Sequence, residues 1–170
     1  MKKLLLVAFC VLSITACQKQ RYFTSSPEID LAKKSIEAYE NGDWEQWVSK
    51  YADDAKIYHN NWDKSKSSTD AVAGHKAMLT NFSSYKYMDD PIFFEMIIDD
   101  KGEKWVHYWA VWQGVSIDGK ELKIPLHMAS NYKDGKVVAE YGFWDTNNLM
   151  ITMDEINESL DESEIESLNE

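Results

Sequence analysis

The chain is 170 residues long, with 18 basic and 29 acidic side chains and a formal net charge of −11. Phosphate binding needs a basic footprint, so this balance argues against nucleic acid as a partner. The two cysteines, Cys10 and Cys17, stand close together at the N-terminus, which leaves the remainder without disulfides, thiol nucleophiles or cysteine-based metal sites.

Met1-Lys2-Lys3 precedes an apolar run from Leu4 to Leu12 and then Ser13-Ile14-Thr15-Ala16-Cys17. This is the basic segment, apolar segment and small-residue cleavage site of a secretory signal. The run is too short for a spanning helix, which needs about 20 apolar residues. Ile14-Thr15-Ala16-Cys17 resembles the bacterial lipobox. The resemblance implies that residues 1–16 are removed, that Cys17 is acylated as the lipid anchor, and that residues 17–25 are a tether. Several acyl chains hold a protein firmly where one binds only marginally. The membrane is then touched through the anchor alone. Gln18 follows the cysteine, which by resemblance to Gram-negative sorting favours the outer over the inner membrane. The competing reading is an ordinary signal with a chance cysteine.

Ser26-Pro27-Glu28 opens a helix, with a capping serine and proline at the first helical position. Ile29, Ala32, Ile36 and Tyr39 follow at helical spacing. Asn41-Gly42 ends it. Asp43 caps a second helix with Gln46 three residues on, and Trp44, Trp47 and Tyr51 form its apolar stripe. Ala55 to His59 reads as a short strand, Asn60 to Asp70 as a loop, and Asp70 to Phe82 as a third helix. From Asp90 the period changes to that of strands: Pro91 to Ile98, Lys104 to Ile117, Glu121 to Tyr132, and Lys136 to Asp145. Asp118-Gly119 and Asp134-Gly135 between them signal hairpins, hence an antiparallel meander. Residues 26–150 form one domain on this reading. Residues 151–170, rich in acid, read as a tail with a marginal helix along Met153, Ile156 and Leu160. Helices first and a meander afterwards make an α+β pattern with helices on one face of a sheet. Seven Trp, nine Tyr and six Phe suit an apolar pocket, an aromatic interface or a well-filled core.

Gly42-Asp43-Trp44-Glu45 leading to Tyr51-Ala52-Asp53-Asp54-Ala55-Lys56-Ile57 resembles the opening of SnoaL-like proteins. These belong to the nuclear transport factor 2-like, or cystatin-like α+β, superfamily that includes ketosteroid isomerase. Gly74-His75-Lys76-Ala77-Met78 resembles the family's third helix. Tyr132-Lys133-Asp134-Gly135-Lys136-Val137-Val138-Ala139-Glu140-Tyr141 resembles its last hairpin. The resemblance implies a cone: a curved antiparallel sheet wrapped around the N-terminal helices, with an apolar pocket open at one end. Tyr58, Trp62, Tyr108, Trp112, Met128 and Trp144 are expected at that pocket. It makes the convex sheet face a homodimer surface. No cofactor is expected, and no metal either, because no local His-x-His or His-x₃-His pair supports a site from His59, His107, His127 and Asp145.

Strand alternation puts Val106, Tyr108, Ala110 and Trp112 on one face and His107, Trp109, Val111 and Gln113 on the other. His127 falls opposite Ile124, Leu126 and Met128, away from the pocket. Counted from Gly42-Asp43, His59 falls where ketosteroid isomerase places its general base, and histidine titrates in the right range for that work. Ser35 and Met128 stand where that enzyme has its oxyanion groups. Asp145 resembles the base of SnoaL-type cyclases. The plain alternatives are a hydrogen-bonded histidine at a strand end, and a carboxylate capping a turn. His75 opens a helix and is expected to be exposed. Three readings follow: a binder of a small apolar molecule, an enzyme using His59 or Asp145 as base, and a dimeric interaction module whose pocket is only core.

Overall fold

The computed structural model describes residues 20–168, so the leader and Cys17 lie outside the described residues. Ser26 caps α1 (Pro27–Glu40) by accepting the Ile29 N–H at 3.2 Å. Its Ile29, Ala32, Ile36 and Tyr39 are buried as their spacing predicts. Gly42, left-handed at φ +65°, turns the chain. Asp43 then caps α2 (Trp44–Val48) by accepting the Gln46 N–H at 3.0 Å.

The third helix, α3 (Ser68–Leu79), is capped by Ser67 and stops before Phe82. Phe82 instead opens a strand that the sequence reading missed, β3 (Phe82–Tyr87). Only Phe82 is buried there, and the segment is held by pairing with a distant strand, so it carries little apolar periodicity of its own.

The other strands are β1 (Tyr22–Phe23), β2 (Tyr51–His59), β4 (Phe93–Ile98), β5 (Lys104–Ser116), β6 (Glu121–Lys133) and β7 (Lys136–Trp144). Their order in the sheet is β1-β4-β5-β6-β7-β2, with β3 also on β5. β4 pairs the first half of β5 and β3 pairs its second half, on the same edge. The expected meander β4–β7 is antiparallel, whereas β2 joins β7 in parallel. Asp134 and Gly135 both have positive φ, as a two-residue hairpin turn requires. Along β5, Val106, Tyr108, Ala110 and Trp112 are buried in strict alternation, and α1 and α3 cover that face. The fold is thus α+β with a curved, unclosed sheet around helices.

The domain end expected at residue 150 falls inside α4 (Asn147–Leu168). Thr152 and Ile156 of this helix are buried, Ile156 completely. Leu149 and Met153 also pack on the core, and Lys120 Nζ holds Glu155 at 2.7 Å. Residues 149, 152, 153 and 156 share one helix face, which explains why an acidic segment docks.

Candidate functional site

Two local irregularities shape the inner face. Asn131 pairs with Ala139 and Tyr132 with Val137, so Val138 is an extra residue on β7. Such a bulge reverses which side chains point inward. Val137 is buried on the inner side, and beyond the bulge Glu140, Gly142 and Trp144 take over that side. The second irregularity is at the end of β2. Asn60 adopts φ +47°, its N–H donates to the Gly142 carbonyl at 2.8 Å, and its Oδ1 accepts the Trp144 N–H at 2.9 Å. Asparagine tolerates that left-handed backbone. The clamp fixes the end of the strand that carries His59.

Between α1, α3 and the inner sheet face lies a cavity of about 340 Å³. Aromatic rings dominate its wall, among them Tyr39, Trp47, Tyr87, Tyr108, Trp112 and Trp144. Leu149 and Thr146 bring the start of α4 to it. The polar corner centres on Glu140, which is only 5% exposed. Its Oε2 accepts the Tyr51 hydroxyl at 3.0 Å and the Ser130 hydroxyl at 3.0 Å. Its Oε1 stands 3.2 Å from His59 Nε2. A carboxylate only accepts, so His59 Nε2 is the donor in this contact.

His75 stands on α3 with its ring centroid 5.6 Å from that of His59. Tyr39, Trp44 and Trp47 surround it. Burial, reinforced by His59 and opposed by Glu140, pushes its pKa down to about 4, so the ring is neutral near pH 7. Burial raises the Tyr51 hydroxyl well above its ordinary range, and the Glu140 charge adds to this. Tyr87 and Tyr108 are raised first by burial as well. The cavity's hydroxyls are therefore neutral donors. Trp112 Nε1–H is buried without an acceptor in hydrogen-bond geometry among the described residues.

Of the residues expected at the site, His59, Tyr108, Trp112, Met128 and Trp144 line the cavity. Tyr58 and Trp62 do not. Tyr58 follows Ile57 and precedes His59 in one strand, so it faces the opposite side, where it stacks on Tyr141 at 4.7 Å. Trp62 is 71% exposed and packs against the same Tyr141. Asp145 is exposed and accepts the Asn147 N–H at 2.8 Å, capping the turn into α4 rather than reaching the cavity. His75, expected to be exposed, belongs to the cavity wall, because α3 turns that side of its helix toward α1 and α2. His107 and His127 lie on the outer sheet face, with Nδ1 and Nε2 3.2 Å apart. Among the described residues no three His, Cys, Asp or Glu side chains are grouped to hold a metal.

Glu140, Tyr51, Ser130 and His75 were missed by sequence reasoning. Simple alternation from Val137 would send Glu140 outward, and only the bulge reverses it. An acid within the apolar run Val137-Val138-Ala139 was the available signal.

No protein-family model matches the chain, and no curated protein does. Its architecture, however, is shared by many solved structures. A nuclear transport factor 2-like protein of unknown function from Burkholderia pseudomallei superposes with a TM-score of 0.60 at 14% identity, over 75% of this chain and 98% of that one. A proposed polyketide cyclase from Xanthomonas campestris gives 0.59 at 15% identity, over 74% and 96%. A proposed SnoaL-like polyketide cyclase from Shewanella putrefaciens gives 0.58 at 10% identity, over 77% and 88%. At such identities the likeness is one of architecture: the chain folds as the α+β cone of nuclear transport factor 2-like and SnoaL-like proteins.

Proposed function

We propose that this protein is a lipid-anchored component of the bacterial envelope that binds a small, largely apolar molecule in its aromatic cavity. The observation that carries the binding is the cavity itself, about 340 Å³ in volume and walled by aromatic rings around one polar corner. Ligand sites have this character: mostly apolar, with a few placed polar groups that fix orientation. A packed core leaves few voids larger than a water molecule, so a cavity of this size argues against the third reading. The Trp112 N–H, buried beside the Tyr39 hydroxyl but with no acceptor in full hydrogen-bond geometry, is a donor that an oxygen or nitrogen on the ligand could engage.

The envelope assignment rests on the leader and on Cys17 as anchor, with the outer membrane favoured by Gln18. The outer sheet face offers a homodimer surface. Phe93, Trp109, His127 and Phe143 form a row across four strands, and Phe93 and Phe143 are exposed.

The test is to purify the full-length protein from membranes, extract it with organic solvent and identify co-purifying small molecules by mass spectrometry. A specific apolar compound that is absent from a Trp112→Phe preparation supports the reading. A clean extract, with no gain in thermal stability across an apolar ligand panel, refutes it. Cys17→Ser is expected to move the protein from the membrane to the soluble fraction.

A further inference from the structure

The outer sheet face carries two histidines on neighbouring strands, β5 and β6, in the middle of the sheet. His107 pairs with Ala129 and His127 with Trp109, so the two imidazoles meet on a diagonal. His107 Nδ1 stands 3.2 Å from His127 Nε2, and the ring planes differ by only 14°. Trp109 stacks on His127 at 4.5 Å, and Phe93 stacks on Trp109 at 4.6 Å. Both imidazoles are partly buried. Burial pushes both pKa values below the ordinary range; His107 adds to this at His127, and the Glu95 charge opposes it at both. Near pH 7 each ring is therefore neutral and has a lone pair to offer.

In the metal-free chain one ring donates to the other across that gap. The same spacing is close to an edge of a metal tetrahedron: with Zn–N bonds of about 2.0–2.1 Å, two ligand nitrogens lie about 3.3–3.4 Å apart. Imidazole is a good zinc ligand. On binding, the ring that had donated carries its hydrogen on its other nitrogen, and the protein's charge does not change. Glu95, directly across β4 from His107, lends negative charge to the same face. Yet one chain supplies only two ligands, since among the described residues no third His, Cys, Asp or Glu is grouped with them. Structural zinc is almost always held by four. A two-fold axis doubles every residue of a self-complementary face, so two ligands become four. The pair also sits where such an axis would pass. It lies within the row Phe93, Trp109, His127 and Phe143, whose two ends are exposed. Covering that row would bury the imidazoles, and a buried polar group needs a partner. A shared metal is that partner.

From this placement we propose that His107 and His127 are half of a tetrahedral zinc site, completed by the same two histidines of a second copy seated on the outer sheet face. The inference rests on reading that face as a homodimer surface and adds the metal that joins the copies. No local spacing in the sequence announces the site, because each strand contributes one ligand and the two are 20 residues apart. Stacked rings around the pair exclude water and hold the imidazoles in place, as the apolar shell of a metal site does.

The probe is zinc chloride, added to the full-length protein purified in detergent and stripped of metal with EDTA. Isothermal titration is expected to give one zinc per two chains. Analytical ultracentrifugation is expected to show zinc tightening the dimer at least about tenfold, because the metal binds the dimer in preference to the single chain. Fresh EDTA reverses the change. Cobalt(II) chloride in place of zinc is expected to give the visible absorption of a four-coordinate cobalt centre.

His107→Gln and His127→Gln are each expected to weaken zinc binding at least about 100-fold, at or beyond the upper end of what changes outside the ligand shell cost. In both, zinc no longer tightens the dimer. Should a variant fail to fold, histidine-labelled NMR spectra of the wild type answer the same question. The chain has four histidines, and zinc should move the signals of His107 and His127 while leaving those of His59 and His75. Zinc bound at one per chain, or zinc binding lost in His59→Gln instead, overturns the shared site. A dimer that neither binds zinc nor tightens with it overturns the inference and leaves the homodimer reading standing. A chain that is monomeric with and without zinc removes both.

Discussion

His59 and Glu140 meet across two parallel strands, with Nε2 of one 3.2 Å from Oε1 of the other. Their strand positions are not opposite: Glu140 pairs with Ile57, and His59 pairs with Gly142. The contact is therefore diagonal, over a residue that has no side chain. That offset lets an imidazole lie flat enough on β7 to reach a carboxylate already held by Tyr51 and Ser130.

Because Tyr51 and Ser130 donate to the same oxygen, their removals are coupled. Tyr51→Phe and Ser130→Ala are each expected to cost about 1–2 kcal/mol, since one donor remains to solvate Oε2. The double variant should lose about 1 kcal/mol more than the sum, because the buried oxygen then has no donor. Urea denaturation of the four proteins measures the cycle, and strict additivity would show that the two hydroxyls do not share the carboxylate.

Gly142 is a position of close approach between the inner face and the side chains above it. A Cβ would lie 2.7 Å from both Met128 Sδ and the Trp144 ring. Gly142→Ala should therefore destabilise the protein by about 1–3 kcal/mol, the usual penalty for overpacking. It should also reduce the thermal stabilisation given by ligands of the apolar panel, because Met128 and Trp144 both line the cavity. A variant with unchanged stability and affinity would contradict the close approach.

His75 makes stability depend on pH in a defined direction. Its folded pKa of about 4 lies below the ordinary value of 6.5. As pH falls below 6.5 the unfolded chain takes up a proton that the folded ring refuses until about pH 4. Stability is thus lost progressively between those values, by up to about 3 kcal/mol. Comparing wild type with His75→Phe in urea at pH 7 and pH 4.5 isolates the contribution. The wild type should lose more stability than the variant, and equal losses would place His75 in water.

Ile156 should behave as a core residue despite its acidic surroundings. It is fully buried, so Ile156→Ala is expected to cost about 2–4 kcal/mol. A peripheral tail residue would change stability by less than about 0.5 kcal/mol. Thermal or urea unfolding of this one variant distinguishes the two.

Local signals determined much of this protein. Ser26 and Asp43 announced two helix starts because caps act within four residues. Asp134-Gly135 announced a hairpin because only certain residues accept its backbone. Tyr108, Trp112 and Met128 were placed inward by alternation alone, which needs nothing beyond the strand itself. His59 was legible as a histidine ending a strand, and the order of helices and meander was enough to indicate an α+β fold, while the cone came with the resemblance to SnoaL-like proteins.

Tertiary structure decided the rest. β3 exists because β5 is long enough to pair two strands along one edge, which no property of Phe82–Tyr87 announces. Tyr58 and Trp62 face outward, where Tyr141 receives them. Asp145 is used up in a turn. His75 enters the cavity because of how α3 packs. Above all, Glu140 points inward because Val138 is one residue too many on β7, and the strand pairing absorbs it as a bulge. A period of two predicts faces only while the register holds. The shift that brings Glu140 to His59 is set by pairing with β6, a relation between strands that no single strand's sequence records.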